Sequence, residues 1–477
     1  MQTIRRDIHK HPETAYEENR TADIVAEKLN QWGLEVDRGL GGTGVVGTLR
    51  QGGSNRAIGL RADMDALFIQ EMNEFDHKSV NKGKMHACGH DGHTTMLLGA
   101  AQYLAETRNF DGTVYFIFQP AEEGGGGGEA MIKEGLFEKF DVETVWGMHN
   151  WPGMDQGRAG VHSAACMAAA DMFDMTVTGL GGHAAQPHLT VDPIPCGAAI
   201  VQSLQTIVAR RVSPLESGVV TVTIFEAGSA YNVIPNSVRL AGTARSFTPA
   251  TRQLLADSIR DIAEQTARTY NCSLEFEWIP GYPPTVNHAS EAGRAAEVMR
   301  GLIGPENVDT DVSPSMGAED FSYMLEERPG AYIWLGSGPA PADGMLHNAR
   351  FDFDDEVLAI SVARRKQEPL IFDRDEGPRA DTSLEKLARL RPVFLKDGGS
   401  EGVVPPERHA LPGLVDTNHA TGAAGATGAA LAHPPPQVQR GVFSEGRSNA
   451  SARGRARRLG RPRVPERRVR APGGPDV

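Results

Sequence analysis

Thr21, Ile24, Val25, Lys28 and Leu29 stand at spacings of three and four, which predicts a helix that Trp32-Gly33 ends. Short apolar strands follow at 44–49 and 57–61, and then a helix over 94–107 with Met96, Leu97, Leu98, Ala101 and Leu104 as its apolar members. Residues 113–118 are almost all apolar, the pattern of a strand buried on both faces. A short helix over 129–133 and a strand over 144–148 complete this part. Strand and helix alternate throughout, which predicts an α/β fold. Around Ala168 the pattern changes. Strands at 171–178, 218–225, 237–246 and 272–278 and helices at 193–211 and 249–268 give the order βαββαβ. That order predicts a small four-stranded sheet backed by two helices, an inserted α+β domain of ferredoxin-like type. After about Pro283 the first pattern resumes, with a helix at 290–301 and a strand at 331–336. The expected domains are 1–167 and 283–365 as two parts of one unit, 168–282 as the insert, and 366–477 as a disordered extension rich in Arg, Pro and Gly.

A chain of 477 residues with 40% apolar content can bury more than one core. Its net charge of −13 argues against a nucleic-acid partner for the molecule as a whole. From Arg364 onward, however, 21 Lys and Arg stand against 13 Asp and Glu, so an acidic body carries a basic tail. Thr421 to Ala430 and Pro434-Pro435-Pro436 are of low complexity, and such a segment buries little. Cys88, Cys166, Cys196 and Cys272 are scattered without framework spacing and are expected to be reduced. No apolar core of a signal peptide and no membrane-spanning run is evident, so the expectation is a cytoplasmic protein without a membrane partner.

The chemistry concentrates in Met85-His86-Ala87-Cys88-Gly89-His90-Asp91-Gly92-His93, where thiolate, imidazole and carboxylate groups suit zinc or a neighbouring transition ion. Gly89 and Gly92 let the backbone bend there. Other candidates stand at predicted strand ends: Asp63 and Asp65, the pair Glu122-Glu123, and His149 and His347. His9 and His11 read more simply as capping or packing residues. The five glycines 124–128 lack a following Lys-Ser/Thr and read as a flexible connector rather than a phosphate loop.

With those residues in view, the sequence resembles the metal-dependent amidohydrolases that include hippurate hydrolase, N-acyl-amino-acid aminoacylase and the indoleacetyl-amino-acid hydrolases. The resemblance rests on Arg5-Arg6-Asp7-Ile8-His9-Lys10-His11-Pro12-Glu13, Arg61-Ala62-Asp63-Met64-Asp65-Ala66-Leu67, the Cys88 loop, Gln119-Pro120-Ala121-Glu122-Glu123, Gly182-His183-Ala184-Ala185-Gln186-Pro187, Asn232-Val233-Ile234-Pro235 and Leu346-His347-Asn348. It implies a di-metal peptidase catalytic domain with a central mixed sheet flanked by helices. The insert would serve as lid and dimerisation domain. Cys88, His90, Glu123, His149 and His347 are implied as ligands of two divalent ions, whether zinc, manganese, cobalt or nickel. Glu122 is the implied general base toward a metal-activated water, with Asp65 orienting a ligand from behind it. If the segment stays extended, Glu122 and Glu123 point to opposite sides. The resemblance further implies that His183 reaches a partner subunit's active site, and that Asn232 and Arg245 meet the oxyanion and substrate carboxylate. His86 and His93 are then packing or supporting residues.

Two features depart from the pattern. Phe68 follows Leu67 where a proline is usual, and the closing amphipathic helix begins at Ile360 but is broken by Arg364-Arg365-Lys366. The expected activity is hydrolysis of the amide bond of N-acyl amino acids. Three rivals stand beside it: a di-metal dipeptidase or carboxypeptidase, a hydrolase with Cys88 as nucleophile, and a non-catalytic metal-binding protein.

Overall fold

The predicted alternation is realised as an eight-stranded mixed sheet. The computed structural model describes residues 1–341, 344–358, 361–362 and 370–371. Its strands lie in the order Glu35–Leu40, Gly44–Gln51, Gly112–Gln119, Ala57–Asp63, Thr144–Trp151, Gly330–Gly336, Ala159–Gly160 and Val308–Asp309. The first two pairings are antiparallel. Ala57–Asp63 then pairs in parallel with both Gly112–Gln119 and Thr144–Trp151, and Gly330–Gly336 extends the parallel set with Trp334 opposite His149. Parallel strands deliver their carboxyl ends to one edge, so Asp63, Gln119, His149 and Asn150 emerge together there.

The strand Gly112–Gln119 is buried on both faces, as its composition predicts. Phe116 and Phe118 join Val25, Leu29 and Leu98 on one side, while Tyr115 and Ile117 join Phe140, Phe321 and Tyr332 on the other. Alternation of side chains across the pleat makes both contacts possible, and each apolar side chain so buried contributes about 1.5–3 kcal/mol.

The first helix, Gln2–Lys10, has no counterpart in the apolar pattern. Its buried stripe is Arg5, Ile8 and His9, helically spaced but two-thirds polar. Arg5 is fully buried and binds Asp91 at 3.1 Å, Asp352 at 2.9 Å and Asp355 at 2.6 Å. His9 binds Asp91 through Nδ1 at 2.9 Å and Glu71 through Nε2 at 3.3 Å. Burial opposes a charge on His9, but those carboxylates outweigh it and hold the imidazole up at about 9. The helix is therefore docked by ion pairs, where removal of one partner costs several kcal/mol, on the order of 3–5. The edge strand Glu35–Leu40 is likewise absent from the apolar pattern, because no residue in it is buried.

Residues 169–279 build a second, four-stranded antiparallel sheet in the order Gly218–Ala227, Ser237–Ser246, Ala169–Thr178, Ser273–Ile279. Phe173, Met175, Val177, Leu240, Ile200, Leu255 and Ile259 form a separate core between this sheet and its helices. The predicted helix over 193–211 is two pieces, Pro193–Leu204 and Thr206–Arg210, joined at Gln205. The longer helix Pro249–Thr269 starts at Thr248, whose hydroxyl accepts from Thr251 N at 3.2 Å. All four cysteines are free and buried. Among the described residues no helix is long and apolar enough to cross a membrane. The expected disordered extension, 366–477, lies outside the described residues apart from the backbone pairing of 370–371 with 361–362.

Candidate active site

The Cys88 loop leads into the helix His90–Thr107, four residues earlier than the apolar pattern predicts. Two glycines make that entry possible. Gly89 has φ of +105°, and a Cβ there would meet Asn150 Oδ1 at 2.2 Å; at Gly92 a Cβ would meet the Phe353 ring at 2.2 Å. Any other residue at Gly89 would be strained and also displace Asn150. His90 thus occupies the first helical position, facing the carboxyl edge of the sheet.

Five of the predicted site residues converge. Ligand atoms of Cys88, His90 and His149 lie within 4.8 Å of one another, as do those of Cys88, Glu123 and His347. Cys88 belongs to both trios. Its Sγ is 3.4 Å from His149 Nε2, and His347 Nε2 is 3.2 Å from Glu123 Oε1. The other nitrogen of His149, Nδ1, is 2.7 Å from the Asn150 carbonyl oxygen, which it meets as donor, so Nε2 presents a lone pair to the cluster. His347 sits at φ +62°, with its backbone N–H donating to Ala87 O at 2.7 Å.

The extended arrangement expected for Glu122-Glu123 is not found. Ala121 has φ of +54° and residues 122–125 form a turn, so the two carboxylates do not alternate. Both come within 4.8 Å of a His90 nitrogen. Glu123 leans toward His347, while Glu122 also faces Glu319 and Asp320. The turn is fixed by Asp65, whose two oxygens accept from Glu122 N and Glu123 N, each at 2.9 Å. Asp65 Oδ1 also stands 3.3 Å from His90 Nδ1, although outside hydrogen-bond geometry.

The donor set fits a cation. Both His90 nitrogens and Glu123 Oε1 are buried without a hydrogen-bond partner. Burial opposes a proton on His90, yet Asp63 and Cys88 draw its pKa well above the usual imidazole range. His347, beside Cys88 and Glu123, is held up at about 10. A pocket anionic enough to keep imidazoles protonated is one in which a metal ion can replace those protons. Cys88 is pushed up by burial and by Glu123, so its thiolate needs such a neighbour. His149, by contrast, is held well below its ordinary value by burial and by His93, leaving it neutral. Glu122 is raised well above the carboxylate range by burial, Glu319 and Glu123.

Behind these residues lies a buried network that the sequence alone does not reveal. Arg61 donates to Gln119 at 2.8 Å, Asp63 at 2.8 Å, Glu319 at 2.9 Å and Asp320 at 3.0 Å. His93 bridges Asp63 Oδ1 at 2.7 Å and Asn150 Oδ1 at 2.6 Å. His93 thus links Asp63 to Asn150, and its ligand atom also lies within 4.8 Å of those of Asp63 and His90. The acidic pair Glu319-Asp320 is visible in the sequence, but nothing local names Arg61 as its partner. His86 is buried with neither ring nitrogen hydrogen-bonded.

The remaining candidates, His183, Asn232 and Arg245, lie within the inserted stretch 168–282. His183 is exposed on the strand Gly182–His183, which pairs with Val233–Ile234 beside the exposed Asn232. Arg245 is half-buried and donates to Thr243 Oγ1 and to Ala244 O at 3.0 Å. Among the described residues, no hydrogen bond or ion pair joins His183, Asn232 or Arg245 to the Cys88 cluster.

Comparison with known proteins agrees with this architecture. Residues 59–365 match the peptidase family M20/M25/M40. A match to the N-terminal domain of thiolase spans residues 346–402, overlapping the end of the first. A hippurate hydrolase of Campylobacter jejuni is 41% identical over 76% of this chain and 94% of its own length. An IAA-amino acid hydrolase of Arabidopsis thaliana is 42% identical over 80% of this chain and 87% of its own. A crystal structure from Bacillus subtilis, described as a dinuclear metal binding peptidase from the M20 family, superimposes with a TM-score of 0.65 at 32% identity, covering 75% of this chain and 93% of that one. Family match, relatives and fold agree over the residues that build the site, and the chain belongs to peptidase family M20/M25/M40 as a metal-dependent amidohydrolase.

Proposed function

We propose that this chain hydrolyses the amide bond of N-acyl amino acids at a site for two divalent cations. Cys88, His90 and His149 would hold one ion and Cys88, Glu123 and His347 the other, with the thiolate shared. The observation that carries this reading is the pair of ligand trios meeting at one sulfur. The presence of thiolate and imidazoles favours zinc, cobalt or nickel, with manganese as a harder alternative. Two cations bound there would polarise the substrate carbonyl and acidify the attacking water.

The remaining steps fall to the chain's own residues. Glu122 takes a proton from the water and returns it to the leaving amine. Asp65 keeps that carboxylate in place by binding the amides of its turn. Arg245, which has no ion pair among the described residues, would read the carboxylate of the amino-acid portion, and Asn232 the oxyanion. The names of the two relatives, hippurate hydrolase and IAA-amino acid hydrolase, support the substrate class. Supplied with each ion in turn, the enzyme should cleave benzoylglycine or acetylated amino acids at least tenfold faster than free dipeptides. The reverse ranking would make it a dipeptidase.

His183 acts across a homodimer in this reading. Its exposure on the two-stranded pairing with Val233–Ile234 supports that role, as does the outer edge of the strand Gly218–Ala227 in the four-stranded sheet. Mixing inactive His183→Ala with inactive Glu122→Gln subunits should restore part of the activity, because one site in a mixed dimer is then complete. Mixed dimers verified by mass that stay inactive would show that His183 serves its own subunit or none.

A further inference from the structure

The turn that carries Glu122 is open at its tip and packed at its exit, where a Cβ on Gly125 would meet Ala121 Cβ at 2.7 Å and one on Gly127 would meet Pro120 O at 1.8 Å. Gly124 and Gly126 adopt φ of +84° and +67°, and a Cβ on Gly124 would meet nothing within 4 Å. Five consecutive glycines offer no side chains of their own to wedge the tip, so hydrogen bonds share in setting where the Glu122 carboxylate points. Asp65 supplies two of them from one side. Tyr16 supplies one more, its hydroxyl donating to Gly125 O at 2.8 Å.

Glu18 Oε1 accepts from Ala121 N at 2.9 Å, and within the turn Gly124 N donates to Glu122 O at 2.7 Å. Tyr282, in the linker by which the chain leaves the four-stranded sheet, joins the turn at two further points. Its hydroxyl donates to the Glu122 carbonyl at 2.6 Å and accepts from Gly126 N at 2.9 Å. One phenol therefore clamps both ends of the turn. The linker itself is firmly anchored. Gly281 N donates to Asp171 Oδ1 at 3.0 Å, and Arg252 donates to Gly281 O at 2.9 Å while gripping both Asp171 oxygens at 2.6 and 2.8 Å. Ala170 N donates to Tyr282 O at 3.1 Å. A Cβ at Gly281 would lie 1.9 Å from Ala170 O, so the linker runs backbone against backbone and cannot drift.

We propose that Tyr282 is a positioning residue for catalysis: its hydroxyl, held by the anchored linker, sets the placement of the Glu122 carboxylate. This rests on the reading of Glu122 as general base. Small displacements of a reacting group cost large factors in rate. Tyr282→Phe in the metal-loaded enzyme is therefore expected to lower kcat about tenfold or more, with KM within about twofold and both metals retained. Tyr323 is the control. Its ring lies edge-on to Tyr282 at 6.0 Å and its hydroxyl reaches Gly281 O at 3.5 Å, with no bond to the turn. Tyr323→Phe should leave kcat unchanged. Replacing Tyr282 with 4-aminophenylalanine, which restores a donor at the same place, should recover at least half of the lost kcat. A Tyr282→Phe enzyme with kcat within twofold of wild type overturns the proposal. So does a loss of kcat that the amine fails to rescue, or that Tyr323→Phe reproduces. Should Tyr282→Phe not fold, the amine variant decides alone, and a kcat below half of wild type counts against the proposal. Glu122→Gln, assayed in parallel, separates the two ideas. If it is inactive while Tyr282→Phe is normal, only the positioning role fails; if it is fully active, the base assignment fails and takes this inference with it.

Discussion

Glu122→Gln is expected to cut turnover by roughly 10²–10⁴-fold, the contribution usual for a positioned general base, while the protein keeps its metal and its fold. The amide has the volume of the carboxylate but cannot accept the proton. The bonds that define the turn, from the amides of residues 122 and 123 to Asp65 and from the Tyr282 hydroxyl to the carbonyl, use only backbone atoms of the turn itself and survive the change. Burial, Glu319 and Glu123 all press Glu122 toward its protonated form, so an isolated carboxylate here would be a poor base. Cations held by the adjoining trios would reverse that pressure. Turnover and metal content should be measured on the same preparation. If the ions disappear together with the activity, Glu122 is a ligand rather than the base.

Removing the metals should have an effect of comparable size. Chelation is expected to abolish hydrolysis and to lower the melting temperature, and individual ions added back should restore both. A ligand present at 100 times its Kd stabilises the folded state by about 2.7 kcal/mol. The stripped site also leaves Cys88 and Asp63 beside the buried His90, which they draw toward its protonated form, and Cys88 and Glu123 beside the exposed His347. The same experiment tests Cys88 as a nucleophile. Bound ions should shield its sulfur from alkylation, since both trios use it. Full activity in metal-free protein, lost only on alkylation, would establish the cysteine mechanism and end the two-metal reading.

What was legible in the sequence follows physical lines. The strand at Gly112–Gln119 was readable because both of its faces are buried, and the βαββαβ order because each element alternates or repeats at its own period. The helix Gln2–Lys10 was hidden because its buried stripe is made of Arg5 and His9, which hydropathy scores as surface. Residue type alone offered the Cys88 loop, the Glu122-Glu123 pair, His149 and His347 as candidates, and the family resemblance singled out the ligand set among them. Their supports were not legible in this way. Arg61 meets Glu319 and Asp320 across more than 250 positions of sequence, and Tyr282 meets Glu122 across 160.

By itself, then, the sequence determined which residues could do the chemistry and the alternation of elements that brings parallel strand ends to one edge, because residue type and local periodicity are properties of short stretches. The tertiary structure alone decided that Cys88 is common to two ligand trios and that Glu122 and Glu123 share a turn instead of opposing one another. It also decided that His183 is exposed, on a short strand paired with Val233–Ile234. Each of those outcomes depends on a backbone angle or a long-range contact, such as the positive φ at Ala121, Asn150 beside Gly89, or the Tyr282 linker. Such features are set by packing between distant segments, which no short window of residues contains.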